Sequence, residues 1–341
     1  MTPASIRAVI KSGEDVLLDA DRPAPEPGEG DAFVRPTMVA IGATDLAVAR
    51  GEAPFEGVMG HQFVGVVEGF GPGVSEALGD RFRGRRVVGN INAASADDPL
   101  AKRGLSNHAP ERRVLGLVGM DGCFADAFTI PVANLALVPE GVGDDAAVFA
   151  EPLAAAVHAS RIVHLEGKGF VTVIGDTLSA LLCAQVMEPL NNSVRLLGRR
   201  PERFERAEKW GVKHRHVDEV GLRGDQDVVI VCNGSNHDLS LAVRMVRPRG
   251  KIVLKTEPIP LPTAPTRADD DSGAFDPTPI IRDEIEIYGA RCGSVADAAG
   301  VLSTGSVEVA SLITKRLPFG DAIAGLRAAA DPEQIKVVLE M

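Results

Sequence analysis

Aromatic residues with a polar tip are nearly missing from this chain: one Trp and one Tyr in 341 residues. A surface that stacks bases on aromatic rings is therefore not expected. Positive charge is also in deficit, with 36 Lys and Arg against 47 Asp and Glu and a net charge of −11. Nucleic acid and anionic membranes are therefore not its expected partners. No run of about 20 apolar residues occurs, and the N-terminus carries no charged-then-apolar leader, so a cytoplasmic protein without membrane contact is expected. Cysteine is sparse and dispersed (Cys123, Cys183, Cys232, Cys292) with no C-x-x-C pair. That pattern reads as core thiols in a reducing compartment rather than a disulfide frame.

What is present is an ordinary globular balance, 45% hydrophobic and 24% charged, in a chain long enough for two domains with full cores. The most informative stretch is 171–187. Val171–Ile174 is a β-branched run expected to form a buried parallel strand. Gly175 breaks it, and Leu178, Leu181, Leu182 and Val186 recur at helical spacing. A second strand, Ser193–Leu197, ends in Gly198-Arg199-Arg200. Strand, glycine turn, helix and strand make half of a dinucleotide-binding unit, with a pyrophosphate expected at the N-terminus of the helix starting near Thr177. The loop Gly175-Asp176-Thr177-Leu178-Ser179-Ala180 keeps only the first glycine of Gly-x-Gly-x-x-Gly. Thr177 is expected to crowd the approach to the phosphates. An acidic residue at the end of the second strand would suit NAD, whereas Arg199 and Arg200 suit the 2′-phosphate of NADP(H), the preferred cofactor.

Before this unit the chain is turn-rich. Residues 5–40 read as antiparallel strands broken by Arg22-Pro23-Ala24-Pro25-Glu26-Pro27-Gly28. Met59–Val67 contains a strand with His61 and Gln62 at its mouth, and 95–113 is a polar, irregular lobe. A helix starts near Phe149. Strands at Val228–Val231, Lys251–Leu254 and Ile285–Tyr288 follow, with a Pro- and Asp-rich surface loop at 258–279.

In order, Gly42-Ala43-Thr44-Asp45-Leu46, Gly60-His61-Gln62-Phe63-Val64-Gly65-Val66-Val67, Asn107-His108-x-Pro110-x-Arg112, Gly119-x-Asp121-Gly122-x-Phe124-Ala125-Asp126 and Glu151-Pro152-Leu153-Ala154 precede the dinucleotide-binding half. Together they resemble the medium-chain dehydrogenase/reductase superfamily, and within it the zinc-type alcohol, threonine and sugar dehydrogenases. The resemblance runs nearly end to end, through Val246-Arg247-Pro248-Arg249-Gly250 and Ile335-Lys336-Val337. It implies an α/β chain with a GroES-like β-rich catalytic domain (1–150 and 291–341) around a Rossmann domain of doubly wound parallel sheet (151–290).

The resemblance also implies two zinc sites, and the chain departs from both. Gly42 stands where relatives carry a catalytic cysteine, and Gln62 where a glutamate follows the retained His61; Glu151 is kept. The four structural-zinc cysteines are replaced by Ser95, Asp98, Ala101 and Ala109. No bound zinc is expected, since a thiolate is usually among the ligands and His61 and Glu151 leave at most two good ones, with Asp45 a possible third. In its place His61 and Asp45 are expected to form a hydrogen-bonded pair, and the lobe at 95–113 to be mobile or repacked. Cys123 lies where relatives have a small residue beside the cleft, without support as a nucleophile.

The candidate catalytic set is Thr44, which matches the proton-relay hydroxyl of relatives, with Asp45, His61 and Glu151. The candidate cofactor set is Gly175, Asp176, Thr177, Leu178, Arg199 and Arg200. Gly234, Lys255 and Thr256 join it because they match loops that touch the nicotinamide half in relatives. Three readings follow. The first is a zinc-independent NAD(P)H-dependent oxidoreductase acting on a small alcohol or carbonyl, a polyol or an activated alkene. The second is a non-catalytic relative with degraded sites, and the third a lyase or isomerase reusing the cleft. A homodimer joined through the strand at 285–292 is expected, with Ile285 and Ile287 sharing one face.

Overall fold

The computed structural model describes residues 4–163, 169–190, 193–233, 235–255 and 276–341. Gly234, Thr256 and most of the loop at 258–279 lie outside them. Two large sheets organise the rest. In the first, the order is Leu135–Leu137, Arg86–Gly89, Phe63–Phe70, Asp31–Ile41, Lys336–Glu340 and Ile313–Pro318, with Phe128–Pro131 also paired to Asp31–Ile41. Neighbours are antiparallel except the last pair. The end of the chain thus returns to the middle of its beginning: Val337 faces Ile41 and Val338 faces Ala40.

The second sheet is all parallel, in the order Lys213–His216, Ser193–Gly198, Phe170–Ile174, Gln226–Val231, Val246–Leu254 and Glu286–Gly289. In chain order this is 3-2-1-4-5-6, the doubly wound dinucleotide-binding arrangement. Val171–Ile174 is therefore interior and parallel, as its unbroken apolar run requires, and each of its four residues is fully buried. The order reverses between Phe170–Ile174 and Gln226–Val231. A crevice for a ligand opens beyond the carboxyl ends of these strands.

Helix Ala150–Ile162 lines the junction of the two sheets. Its buried Leu153, Ala154 and Val157 share one core with Val171, Val173, Leu196 and Val228 of the parallel sheet, with Leu181 of the helix Leu178–Met187 and with Val64 and Val338 of the other sheet. A second core under the antiparallel sheet gathers Phe63, Phe124, Phe128 and Ile130. Gly60 makes this packing possible. At φ +98° it sits where an added Cβ would fall 2.1 Å from the Phe124 ring.

The edge strand is shorter than expected. It covers Glu286–Gly289, and Ile285 lies just before it. Ile285 is 7% exposed in the core while Ile287 is 39% exposed, so the two do not form one apolar face. Among the described residues no helix is long and apolar enough to cross a membrane.

Candidate active site

Helix Ala43–Ala49 begins with Gly42 as its N-cap, and Asp45 is its third residue. A carboxylate at that position folds back on the free N–H groups of the first turn. Asp45 Oδ2 accepts from Gly42 N at 2.8 Å, which leaves Oδ1 to pair with His61 Nδ1 at 2.9 Å. Both side chains are buried, Asp45 at 1% and His61 at 4% exposure. The expected pair is therefore formed and held from both ends. Burial by itself lowers the His61 pKa. The Asp45 charge and hydrogen bond, aided by Glu151 and opposed by Lys336, outweigh it and raise the value to about 9.

Gln62 continues the network. Its Nε2 donates to Glu151 Oε2 at 2.8 Å, and its Oε1 accepts from Lys336 Nζ at 2.5 Å. Lys336, 2% exposed, also donates to Ile41 O at 3.1 Å. An amide here can accept from the ammonium and donate to the carboxylate at once, which a second carboxylate could not do.

Zinc does not fit these residues. An added Cβ on Gly42 would lie 3.3 Å from His61 Nε2, so the place a ligand thiolate would enter is glycine. Among the described residues no three His, Cys, Asp or Glu side chains come together to hold a metal. Cys123 does not fill the gap. It is fully buried, its Sγ lies 3.6 Å from Gln62 O, and burial pushes its thiol pKa well up, so it is inert rather than a cleft residue.

The lobe at 95–113 is repacked around backbone turns. Asp98 Oδ1 accepts from Leu100 N at 2.7 Å and Ala101 N at 3.1 Å, while Ala109 is buried. Asn107 Nδ2 ties the lobe to Cys292 O at 3.2 Å.

The glycine loop gives Thr177 a second role beside lining a groove. The residue is the N-cap of helix Leu178–Met187, with Oγ1 accepting from Ala180 N at 3.3 Å. Gly175 turns the chain at φ +133°, where an added Cβ would meet Asn233 Oδ1 at 2.7 Å. Asp176 reaches across the turn, and its Oδ2 accepts from the backbone of Arg199 at 2.7 Å and Arg200 at 3.1 Å. The two guanidiniums already have protein partners: Arg199 pairs with Asp238 at 3.3 Å, and Arg200 donates to Pro332 O.

A groove of about 450 Å³ runs past Gly42, Asp176, Thr177, Leu178, Arg200 and Asn233. A helix N-terminus opening on a tight glycine turn, at the reversal point of the sheet, fits a nicotinamide dinucleotide. Arg203 was not foreseen. Buried at 3% exposure, it donates through Nη2 to the carbonyls of Pro332, Glu333 and Gln334 and so fixes the far wall of this groove. Its only sequence signal is a position on the buried side of helix Pro201–Lys209.

A second cavity, of about 80 Å³, holds Thr44, His61, Gln62 and Glu151. Lys255 lines this cavity and not the groove, so it stands apart from the other described cofactor candidates. Arg112, Arg291 and Cys292 line it too. Arg112 was visible only as the end of the Asn-His-x-Pro-x-Arg motif, and Arg291 only as part of the expected dimer strand.

The Alcohol dehydrogenase GroES-like domain model matches residues 28–140. An L-threonine 3-dehydrogenase of Chelativorans sp. (strain BNC1) is 28% identical over 358 residues, covering 98% of each chain. Among solved structures, the alcohol dehydrogenase TADH from Thermus sp. ATN1 superposes with a TM-score of 0.84 at 25% identity, covering 98% of this chain and 99% of that one. This chain is similar, nearly end to end, to zinc-type dehydrogenases of the medium-chain dehydrogenase/reductase superfamily. A short chain alcohol dehydrogenase from Escherichia coli CFT073, solved with the cofactor NADH, shares the fold at a TM-score of 0.86 and 23% identity over 99% of this chain and 100% of that one. The chain shares the architecture of these proteins.

Proposed function

We propose that this protein is a zinc-independent, NAD(P)H-dependent oxidoreductase acting on a small alcohol or carbonyl, a polyol or an activated alkene. The observation that carries the reading is the buried His61–Asp45 pair beside Thr44, in a cavity next to the dinucleotide groove. A bound nicotinamide supplies the hydride donor or acceptor. Gly175, Asp176, Thr177, Leu178, Arg200 and Asn233 would hold it in the groove. With a pKa of about 9, His61 is cationic at neutral pH and offers both a positive charge and a proton to a substrate oxygen. Thr44 supplies the relay hydroxyl. Asp45 fixes the ring and keeps it protonated, while the Gln62–Glu151–Lys336 network anchors the adjoining backbone.

The preferred cofactor in this proposal is NADP(H). Asp176 already uses its carboxylate on two backbone N–H groups; Arg200, bonded only to a neutral carbonyl, lines the groove and would meet a 2′-phosphate, with Arg199 joining it by leaving Asp238. The division of the chain into 1–150 with 291–341 and 151–290, the cytoplasmic location and a homodimer through the edge strand at 286–289 belong to the same proposal. Fluorescence titration with NADPH and NADH, together with elemental analysis, tests it. Expected are saturable binding with NADPH the tighter ligand and no stoichiometric zinc. Absence of binding by either nucleotide, or one tightly held zinc per chain, overturns it. Light scattering tests the assembly, and a monomer of about 36 kDa would end the dimer.

A further inference from the structure

The cavity beside Thr44 and His61 holds more positive charge than a neutral alcohol or carbonyl would use. Arg112, Lys255 and Arg291 all line it, in a protein whose net charge is −11. Among the described residues none of the three has an ion-pair partner, and Lys255 is only 3% exposed. Arg291 Nε is buried with no hydrogen-bond partner, and its Nη1 reaches only Asn107 O at 3.4 Å. Arg112 is clamped in place by Asn92 Oδ1 on Nε and Ala109 O on Nη1, both at 3.0 Å. Glu151 is the one carboxylate lining the cavity, and it accepts from Gln62.

Burial and the neighbouring Arg291 charge both lower the Arg112 pKa, so the two guanidiniums repel one another across a partly desolvated space. Lys255 is buried and the two guanidiniums are half-buried, so with Glu151 as the one carboxylate facing three cations the chain offsets their charge only in part. The arrangement is relieved by an anion from outside. Planar guanidinium forks suit an oxyanion, which they can grip through paired N–H···O bonds. Ile91, Val114, Leu117 and Val118 complete the walls, so the rest of such a ligand meets apolar surface.

We propose that this cavity selects substrates carrying an oxyanion, a carboxylate or a phosphoryl group, held by Arg112 and Arg291 while Thr44 and His61 face the reacting oxygen. Lys255 adds the third positive charge. The proposal deepens the oxidoreductase reading of the same cavity and rests on it for the identity of the reacting end.

Calorimetric titration with acetoacetate, inorganic phosphate and uncharged butanone tests it, with NADPH affinity measured in parallel by fluorescence. The expected result is that at least one anion binds the wild type about tenfold more tightly than butanone. Arg112→Gln and Arg291→Gln each weaken that anion by about tenfold, with butanone and NADPH affinities unchanged. Binding of acetoacetate alone assigns a carboxylate substrate, and binding of phosphate alone a phosphoryl one. The proposal is overturned if neither anion binds more tightly than butanone, or if both folded variants bind the anion as the wild type does. Should the variants not fold, the wild-type comparison of anion with butanone decides. Anion binding without NADPH binding would leave the site standing and remove the oxidoreductase reading.

Discussion

The two positions at which the resemblance implies zinc ligands are filled in opposite ways in this chain. In the lobe at 95–109 the replacements are small or turn-forming, and the backbone satisfies itself through Asp98 and short helical turns. In the cleft, losing the thiolate did not lead to an apolar repacking. His61 and Asp45, and beside them Gln62 and Lys336, stay buried as two bonded pairs, an arrangement that is energetically expensive unless every partner is present. The first site served structure and was closed with local bonds. The second still carries charge where a substrate would sit, which favours a working cleft over a decayed one.

The contrast breaks most sharply at Asp45. Asp45→Ala leaves His61 without its counter-charge and Gly42 N without its acceptor, and should lower stability by about 3–5 kcal/mol in urea unfolding. A loss below 1 kcal/mol would mean that the pair is not the strut described here. The same pair sets a pH dependence. His61 has a raised folded-state pKa, so its stabilisation is complete below the unfolded value near 6.5 and is lost as pH rises toward about 9. Unfolding free energy should therefore fall across that window by at most about 1.4 kcal/mol per pH unit from this group. The slope should be absent in Asp45→Ala.

Lys336→Met removes the donor to Gln62 Oε1 and Ile41 O, and is expected to destabilise by about 1.5–3 kcal/mol. Asp98→Ala, in the lobe, should cost only about 1 kcal/mol, the value of one turn cap. Equal losses at Asp98 and Asp45 would erase the distinction between the two sites. The smallest effect is expected at Thr177. Glycine there sacrifices a cap worth a few tenths of a kcal/mol in thermal unfolding and should leave NADPH affinity within about twofold. Tightening beyond that would restore the crowding account.

The architecture was legible because its signals are long-range in sequence and redundant. A β-branched run before a glycine and a helical repeat has few homes other than an interior parallel strand, and Val171–Ile174 occupies one. The His61–Asp45 pair was legible because each residue sits in its own short motif. The capping role of Thr177 was not visible because a glycine pattern describes what is missing, whereas a threonine at that point is a good cap. That Arg291 and Lys255 share one cavity was not visible for another reason. Each leaves the end of a parallel strand, and whether such a side chain enters the groove or the neighbouring cavity depends on the loop beyond, which no local pattern encodes. The edge strand was drawn too long because Ile285 and Ile287 share spacing but not burial.

The bond from Lys336 to Ile41 spans 295 positions and encloses the whole parallel sheet. Joining such distant points through an unstructured chain carries an entropic penalty of roughly 5 kcal/mol by the logarithmic law for loop closure. If the enclosed sheet forms first, its compact body brings the two flanks together and most of that penalty falls on the sheet's own folding. The cleft around His61 and the far wall of the groove, which is built from residues 329–337, are then completed together late in folding, when the last strand docks between its two neighbours.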